Sequence, residues 1–315
     1  ISYTIPIIDI TPLVSRDGKQ EGVVNEIRDA CETVGFFYVI GHGISLDIQT
    51  KIFSTAREFF ALPEHVKHGV GVAKSRCFRG YVPFALTGPN VPKRMLEAFQ
   101  MMLDLGPDDP DVAVGNIMYG SNQWPEDAPR MRAILEAYYK EMEALSNHLL
   151  SAFARALGED PEFFNTYYQK PLTQLRLLHY PYVESDNLED QQGVEAHTDT
   201  GAFTILMQDD ISGLEIKARD GSWLAASPIE DAFVINVGDM MQWWTAYRFI
   251  STPHRVTNRS GRSRYSVPFF VNPDRSAVIT RLGADPDDAG ARFEVGAHVE
   301  KAYVDAWPRE PTGVG

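Results

Sequence analysis

Two cysteines in 315 residues, Cys31 and Cys77, cannot build a disulfide framework. That scarcity excludes the small stapled-domain class and points to a reducing, cytoplasmic setting. No apolar run reaches the roughly 18 residues of a membrane-crossing helix, so no membrane partner is expected. A basic block is also missing. With 29 Lys and Arg against 43 Asp and Glu, the net charge is −14, which argues against nucleic acid or an anionic membrane surface as partner. Internal repeats, low-complexity tracts and long linkers are absent too, which excludes solenoids and strings of modules. The chain opens on Ile1 rather than Met, so removal of an upstream segment is compatible with it. Asn258-Arg259-Ser260 fits a glycosylation acceptor, a three-residue pattern that chance supplies often.

What is there is enough apolar sequence, 44%, to bury a large core. Length alone suggests about two domains. Composition shifts along the chain. The first 170 residues carry helical periods at 21–34, closed by Gly35, at 46–60, capped by Ser45 and stopped near Pro63, and at 130–157. In the last, Met131, Ile134, Leu135, Tyr138, Met142, Leu145, Leu149 and Phe153 recur at spacings of three and four, and Gly158 follows in the terminating position. Residues 35–44, GFFYVIGHGI, read as a buried strand leaving through a Gly-rich turn. From about 172 the pattern is β: 174–180, 202–208, 214–218, 223–225, 233–237, 255–258 and 264–271 are short and apolar or alternating, with turn signals at Asp220-Gly221 and Gly261. So many strands in so short a stretch predict a sandwich, barrel or jelly roll. Helices bracing one face of that core make one mixed α and β unit the better expectation.

The stretch VEAHTDTGAFTIL, 194–206, puts an imidazole and a carboxylate inside what reads as a strand. At positions i and i+2, His197 and Asp199 would point to the same face. A carboxylate there is rarely buried unless paired or bound to metal. His254, in STPHRV just before another strand, supplies a third donor. Two imidazoles and one carboxylate form a facial triad with open positions, suited to non-haem Fe(II) chemistry on O2. A structural zinc site is the alternative, but such sites favour closed, Cys-rich ligand sets, and neither cysteine is near the triad in sequence. His42, His65, His68, His148, His179 and His298 lack partner spacing and read as surface or core residues. Arg264-Tyr265-Ser266 adds a second signal: on a strand, Arg264, Ser266, Pro268 and Phe270 share a face, and the guanidinium fork beside a hydroxyl makes a carboxylate clamp.

These motifs resemble the Fe(II)- and 2-oxoglutarate-dependent oxygenases, in the branch that includes isopenicillin N synthase and the plant soluble dioxygenases. The resemblance runs through IPIIDI (5–10), GFFYVIGHGI, AREFFALPEHVK (56–67), FRGYVP (78–83), LRLLHYPY (175–182), AHTDTGAFTILMQDDISGLEI (196–216), VINVGDMMQWWT (234–245), STPHRV (251–256) and RYSVPFFVNP (264–273). It implies a double-stranded β-helix, a jelly roll, braced by helices including one long one. One oxygenase domain would span 1–315: a mostly helical part to 170, the jelly-roll core over 171–275 and a C-terminal segment over 276–315. By the same resemblance His197, Asp199 and His254 would ligate Fe(II), Arg264 and Ser266 would hold the distal carboxylate of 2-oxoglutarate, and Tyr180 would add a phenol. O2 would be the second cosubstrate, succinate and CO2 would leave, and a small organic substrate would be hydroxylated. Asp199, where a halogenase carries Ala or Gly, implies oxygenation.

Two positions depart from the pattern. Leu178 stands where many plant members carry Asn, and Phe78 where isopenicillin N synthase carries a substrate-binding Arg, which weakens a peptide-cyclase reading. Residues 76–102 read as a loop rich in Gly and Pro, which family members use to line the pocket. Arg79, Tyr81 and Phe99 are therefore expected at the substrate, with Trp243 and Phe270 from the β core. Other readings are a 2-oxoglutarate-independent oxidase or cyclase like isopenicillin N synthase, desaturation or ring formation, and a non-catalytic metal-binding jelly roll. The oligomeric state is left open.

Overall fold

Along Arg264–Val271, Arg264, Ser266, Pro268 and Phe270 line an internal cavity, while Val267, Phe269 and Val271 are buried on the opposite face. That alternation organises the molecule. The computed structural model describes residues 4–15, 20–85, 94–182, 192–285 and 287–307. In chain order its strands are β1 (Ile7–Asp9), β2 (Phe36–Ile40), β3 (Gly80–Val82), β4 (Glu97–Met102), β5 (Gln174–Tyr180) and β6 (Gln192–His197). There follow β7 (Phe203–Gln208), β8 (Leu214–Lys217), β9 (Trp223–Ala225), β10 (Phe233–Val237), β11 (His254–Thr257) and β12 (Arg264–Val271). A separate hairpin pairs β13 (Val278–Thr280) with β14 (Arg292–Glu294).

Eight strands form one sheet in the order β1-β2-β10-β7-β12-β5-β4-β3, and four form a second, β6-β11-β8-β9. Residues of both sheets line one cavity, the arrangement of a jelly roll. The larger sheet takes strands from the first hundred residues as well as from the later β region, so the two stretches share one core.

Its other face is covered by the helix Met131–Leu157, which ends at Gly158 with φ 85°. From that helix the Tyr138 hydroxyl reaches the Met207 sulfur at 3.9 Å, the Tyr139 ring lies 5.2 Å from Phe269 and the Phe153 ring 5.1 Å from Phe203. All three touch the odd-numbered faces of β7 and β12. The strand period thus sorts these two strands into a helix-facing row and a cavity-facing row. Phe153 is fully buried, and its removal would cost about 3–5 kcal/mol.

Two expectations change and one gap is filled. Within 76–102 the described residues include β3 and β4 rather than loop alone, and β4 is buried along its whole length, so it shows no alternation to read. The C-terminal segment, for which the sequence suggests no element, carries the β13–β14 hairpin and a helix, Val295–Ala306. And 194–206 is not one strand: β6 stops at His197, and β7 starts at Phe203.

Candidate active site

His197 and His254 meet because β6 and β11 pair antiparallel with these two residues directly opposite. Their rings lie 4.3 Å apart. Asp199 joins them through a turn rather than through strand period. The carbonyls of Asp199, Gly201 and Ala202 accept the N–H groups of Asp239, Met240 and Gly238, so the segment after β6 is tied to the start of the helix Asp239–Trp244. The Thr198 hydroxyl donates to Asp239 at 2.9 Å. Only a glycine fits at 201, where a Cβ would come within 2.1 Å of the Asn272 Oδ1.

The result is three donors aimed at one point. Asp199 Oδ1 stands 3.9 Å from His197 Nε2 and 3.8 Å from His254 Nε2. Its other oxygen, Oδ2, accepts from Thr204 at 2.6 Å and Asn236 at 2.7 Å. Each imidazole places Nδ1 against a backbone carbonyl, Glu195 at 2.8 Å and Thr252 at 3.2 Å. With the proton held at Nδ1, Nε2 keeps its lone pair for a metal. Burial, then the neighbouring His254, lowers the His197 pKa to about 4, so this ring is neutral at neutral pH. Burial pushes Asp199 up, but the two histidines and the Thr204 and Asn236 hydrogen bonds prevail and hold it below the usual carboxylate range. One carboxylate and two imidazoles suit a divalent cation. Among the described residues, the only His, Cys, Asp and Glu side chains grouped to hold a metal are these three, which differs from a closed structural zinc site. Cys31 and Cys77 are free and buried elsewhere.

The cavity beside the triad measures about 480 Å³, within the range of small-molecule sites. Arg264, Ser266 and Tyr180 line it, with Arg264 opposite Tyr180 in the β12–β5 register. Arg264 is fully buried. Its Nε donates to the Ile211 carbonyl at 3.1 Å and Nη2 to Gln208 at 2.8 Å, while Nη1 has no partner. A buried, unpartnered guanidinium N–H calls for an anionic oxygen, and a dicarboxylate cosubstrate fits that need. Gly213 makes room for the arm: a Cβ there would come 3.1 Å from Arg264 Cδ and 2.5 Å from the Thr257 carbonyl.

The expected substrate residues divide. Phe270 lines the cavity; Arg79, Tyr81, Phe99 and Trp243 do not. Arg79 is fully buried, donating to the carbonyls of Cys77 and Met118, because its position just before β3, the edge strand of the main sheet, brings those acceptors within reach. Tyr81 donates to Glu97 at 2.7 Å, Phe99 packs on Phe59 and Trp124, and Trp243 packs at a tilt against Phe293. The lining is completed instead by Arg94, Arg176 and the C-terminal helix, through His298, Val299 and Tyr303, with Trp307 just after the helix. Phe78 backs that helix, 5.6 Å from Tyr303. Leu178 presents an apolar face to the cavity. The glycosylation pattern falls on a buried Asn258, whose amide donates to the carbonyls of Tyr180 and Arg262.

Two family models match the chain: the non-haem dioxygenase in morphine synthesis N-terminal region over residues 5–127 and the 2OG-Fe(II) oxygenase superfamily over 171–273. A 2-oxoglutarate-dependent dioxygenase of Monascus ruber is 37% identical, with 91% of each chain covered. The clavatol oxidase of Penicillium crustosum is 36% identical over 93% of each. Among solved structures, a Neurospora crassa protein in complex with alpha-KG and thymine superposes with a TM-score of 0.81 at 26% identity, covering 95% of this chain and 96% of that one. The triad, the jelly roll and these likenesses agree: the chain belongs to the Fe(II)- and 2-oxoglutarate-dependent oxygenases.

Proposed function

We propose that this oxygenase hydroxylates a small organic molecule, with His197, Asp199 and His254 holding Fe(II) and with Arg264, Ser266 and Tyr180 holding 2-oxoglutarate. The observation that carries the reading is the shared cavity, where the three donors and the unpartnered Arg264 Nη1 face the same space. Bound together, iron and 2-oxoglutarate let O2 oxidise a C–H bond while the keto acid becomes succinate and CO2.

The chain's own residues position and shield. Thr204 and Asn236 fix the Asp199 carboxylate so that Oδ1 faces the imidazoles. Gln208 and the Ile211 carbonyl fix the Arg264 guanidinium through Nη2 and Nε, leaving Nη1 for the cosubstrate. Apolar side chains such as Leu178, Leu206 and Val256 keep water from the reacting centre. The Neurospora neighbour's ligand, thymine, is a small ring compound, which supports a substrate of similar class.

The test is an anaerobic sample with Fe(II), 2-oxoglutarate and a panel of candidate molecules, exposed to O2. Succinate in step with a hydroxylated product is expected. Substrate oxidation with no consumption of 2-oxoglutarate would overturn the reading in favour of an oxidase.

A further inference from the structure

On the cavity-facing row of β5 the residues are Gln174, Arg176, Leu178 and Tyr180. Tyr180 sits opposite Arg264, the cosubstrate end. Arg176 lies four residues back along the strand, about 13 Å away at the usual rise. It is only 6% exposed, its Nε has no hydrogen-bond partner, and its guanidinium lies 5.5 Å from the Trp307 ring. Arg94 lines the same cavity and is near enough to repel it. Burial, then that second guanidinium, pulls Arg176 down to about 9, which still leaves it cationic at neutral pH.

Two like charges facing one cavity, Arg176 buried and Arg94 half-buried, are costly without a counter-anion. The described lining offers little to balance them. Asp199 is committed to the triad, and Asp305 is paired with Lys301 on the C-terminal helix. In a chain of net charge −14, this end of the cavity is locally positive. Around it, Leu96, Val194, Leu178 and Trp307 are apolar.

We infer that the substrate is a carboxylic acid with a largely apolar body, its carboxylate held between Arg94 and Arg176 rather than by Arg264. The inference rests on the proposed function, which places 2-oxoglutarate at Arg264. A second anion-binding point would orient the acid so that its body crosses the triad.

The full chain, loaded with Mn(II) as a redox-inert stand-in and saturated with 2-oxoglutarate, would be titrated calorimetrically with matched pairs: phenylacetate and phenylacetamide, 2-naphthoate and 2-naphthamide. The acids are expected to bind about tenfold to 100-fold more tightly than their amides, the range of one charged hydrogen bond. Arg176→Gln and Arg94→Gln should each bring the acids toward the amide level without moving 2-oxoglutarate affinity. Equal binding of acid and amide, no binding of either acid, or variants that weaken 2-oxoglutarate instead would each overturn the inference. The acid–amide comparison in the unmodified protein stands even if a variant fails to fold. A protein that takes up no 2-oxoglutarate would instead defeat the proposed function, so the two failures are distinguishable.

Discussion

Asp199 divides its oxygens between two tasks: Oδ2 takes hydrogen bonds from Thr204 and Asn236, and Oδ1 faces the imidazoles. Asn236→Ala should therefore lower metal affinity about 10- to 100-fold without touching a ligand, measurable by Mn(II) titration. Arg264→Ala should weaken 2-oxoglutarate by roughly 10- to 150-fold, the worth of about 1.5–3 kcal/mol, while leaving metal affinity in place. Unchanged cosubstrate affinity in a titration would count against its role. The triad and the arginine were legible in the sequence because their chemistry is improbable in a β core. What the sequence could not show is why they meet. His197 and His254 are brought opposite by strand register, and Asp199 arrives through a turn pinned to the following helix, and neither is written in local residue spacing.

At the scale of elements, the helix Val295–Ala306 closes the cavity on the side of Arg176. Ala302→Pro would break it in its middle, at a local cost of about 3 kcal/mol or more. The expected outcome is unchanged 2-oxoglutarate binding, a raised KM for substrate, and succinate formed in excess of product. Assays of both products together would check it. This helix had a readable signal, Val295, Val299 and Tyr303 four apart and all buried, but its few apolar positions sit among Gly and Ala. The long helix was plain because its stripe runs for 27 residues. The short strands β3 and β4 hid in a stretch punctuated by Gly and Pro, and with them went the placement of Arg79, Tyr81 and Phe99, whose partners lie in the core.

Across the whole molecule, one buried ion cluster ties the sheet to the first helical region. Glu97 on β4 receives hydrogen bonds from Lys67, Tyr81 and His179, at 2.8, 2.7 and 2.8 Å. Burial pushes its pKa up, but these bonds prevail and bring it from 4.5 to about 2. A lowered pKa means stability that is complete above pH 4.5 and drains away as pH falls toward 2, about 3 kcal/mol in all. Glu97→Gln should thus be less stable at neutral pH by that order, and the gap from the unmodified protein should narrow through that window in denaturant titrations. The proposed iron site has a structural side of its own. β6 is an edge strand of the smaller sheet, hydrogen-bonded in that sheet to β11 alone, and the facing histidines join the same two strands through their tips. A metal held between them would act as a rivet. At a hundred times its dissociation constant it would add about 2.7 kcal/mol, on a strand whose outer side is otherwise held by the Arg94–Val194 bridge and whose loosening would bare β11 to stray pairing with another chain. Stripping the metal should therefore loosen β6 first, visible as faster amide exchange over residues 193–197, and a preparation that has lost its iron would age by aggregation as well as by inactivity.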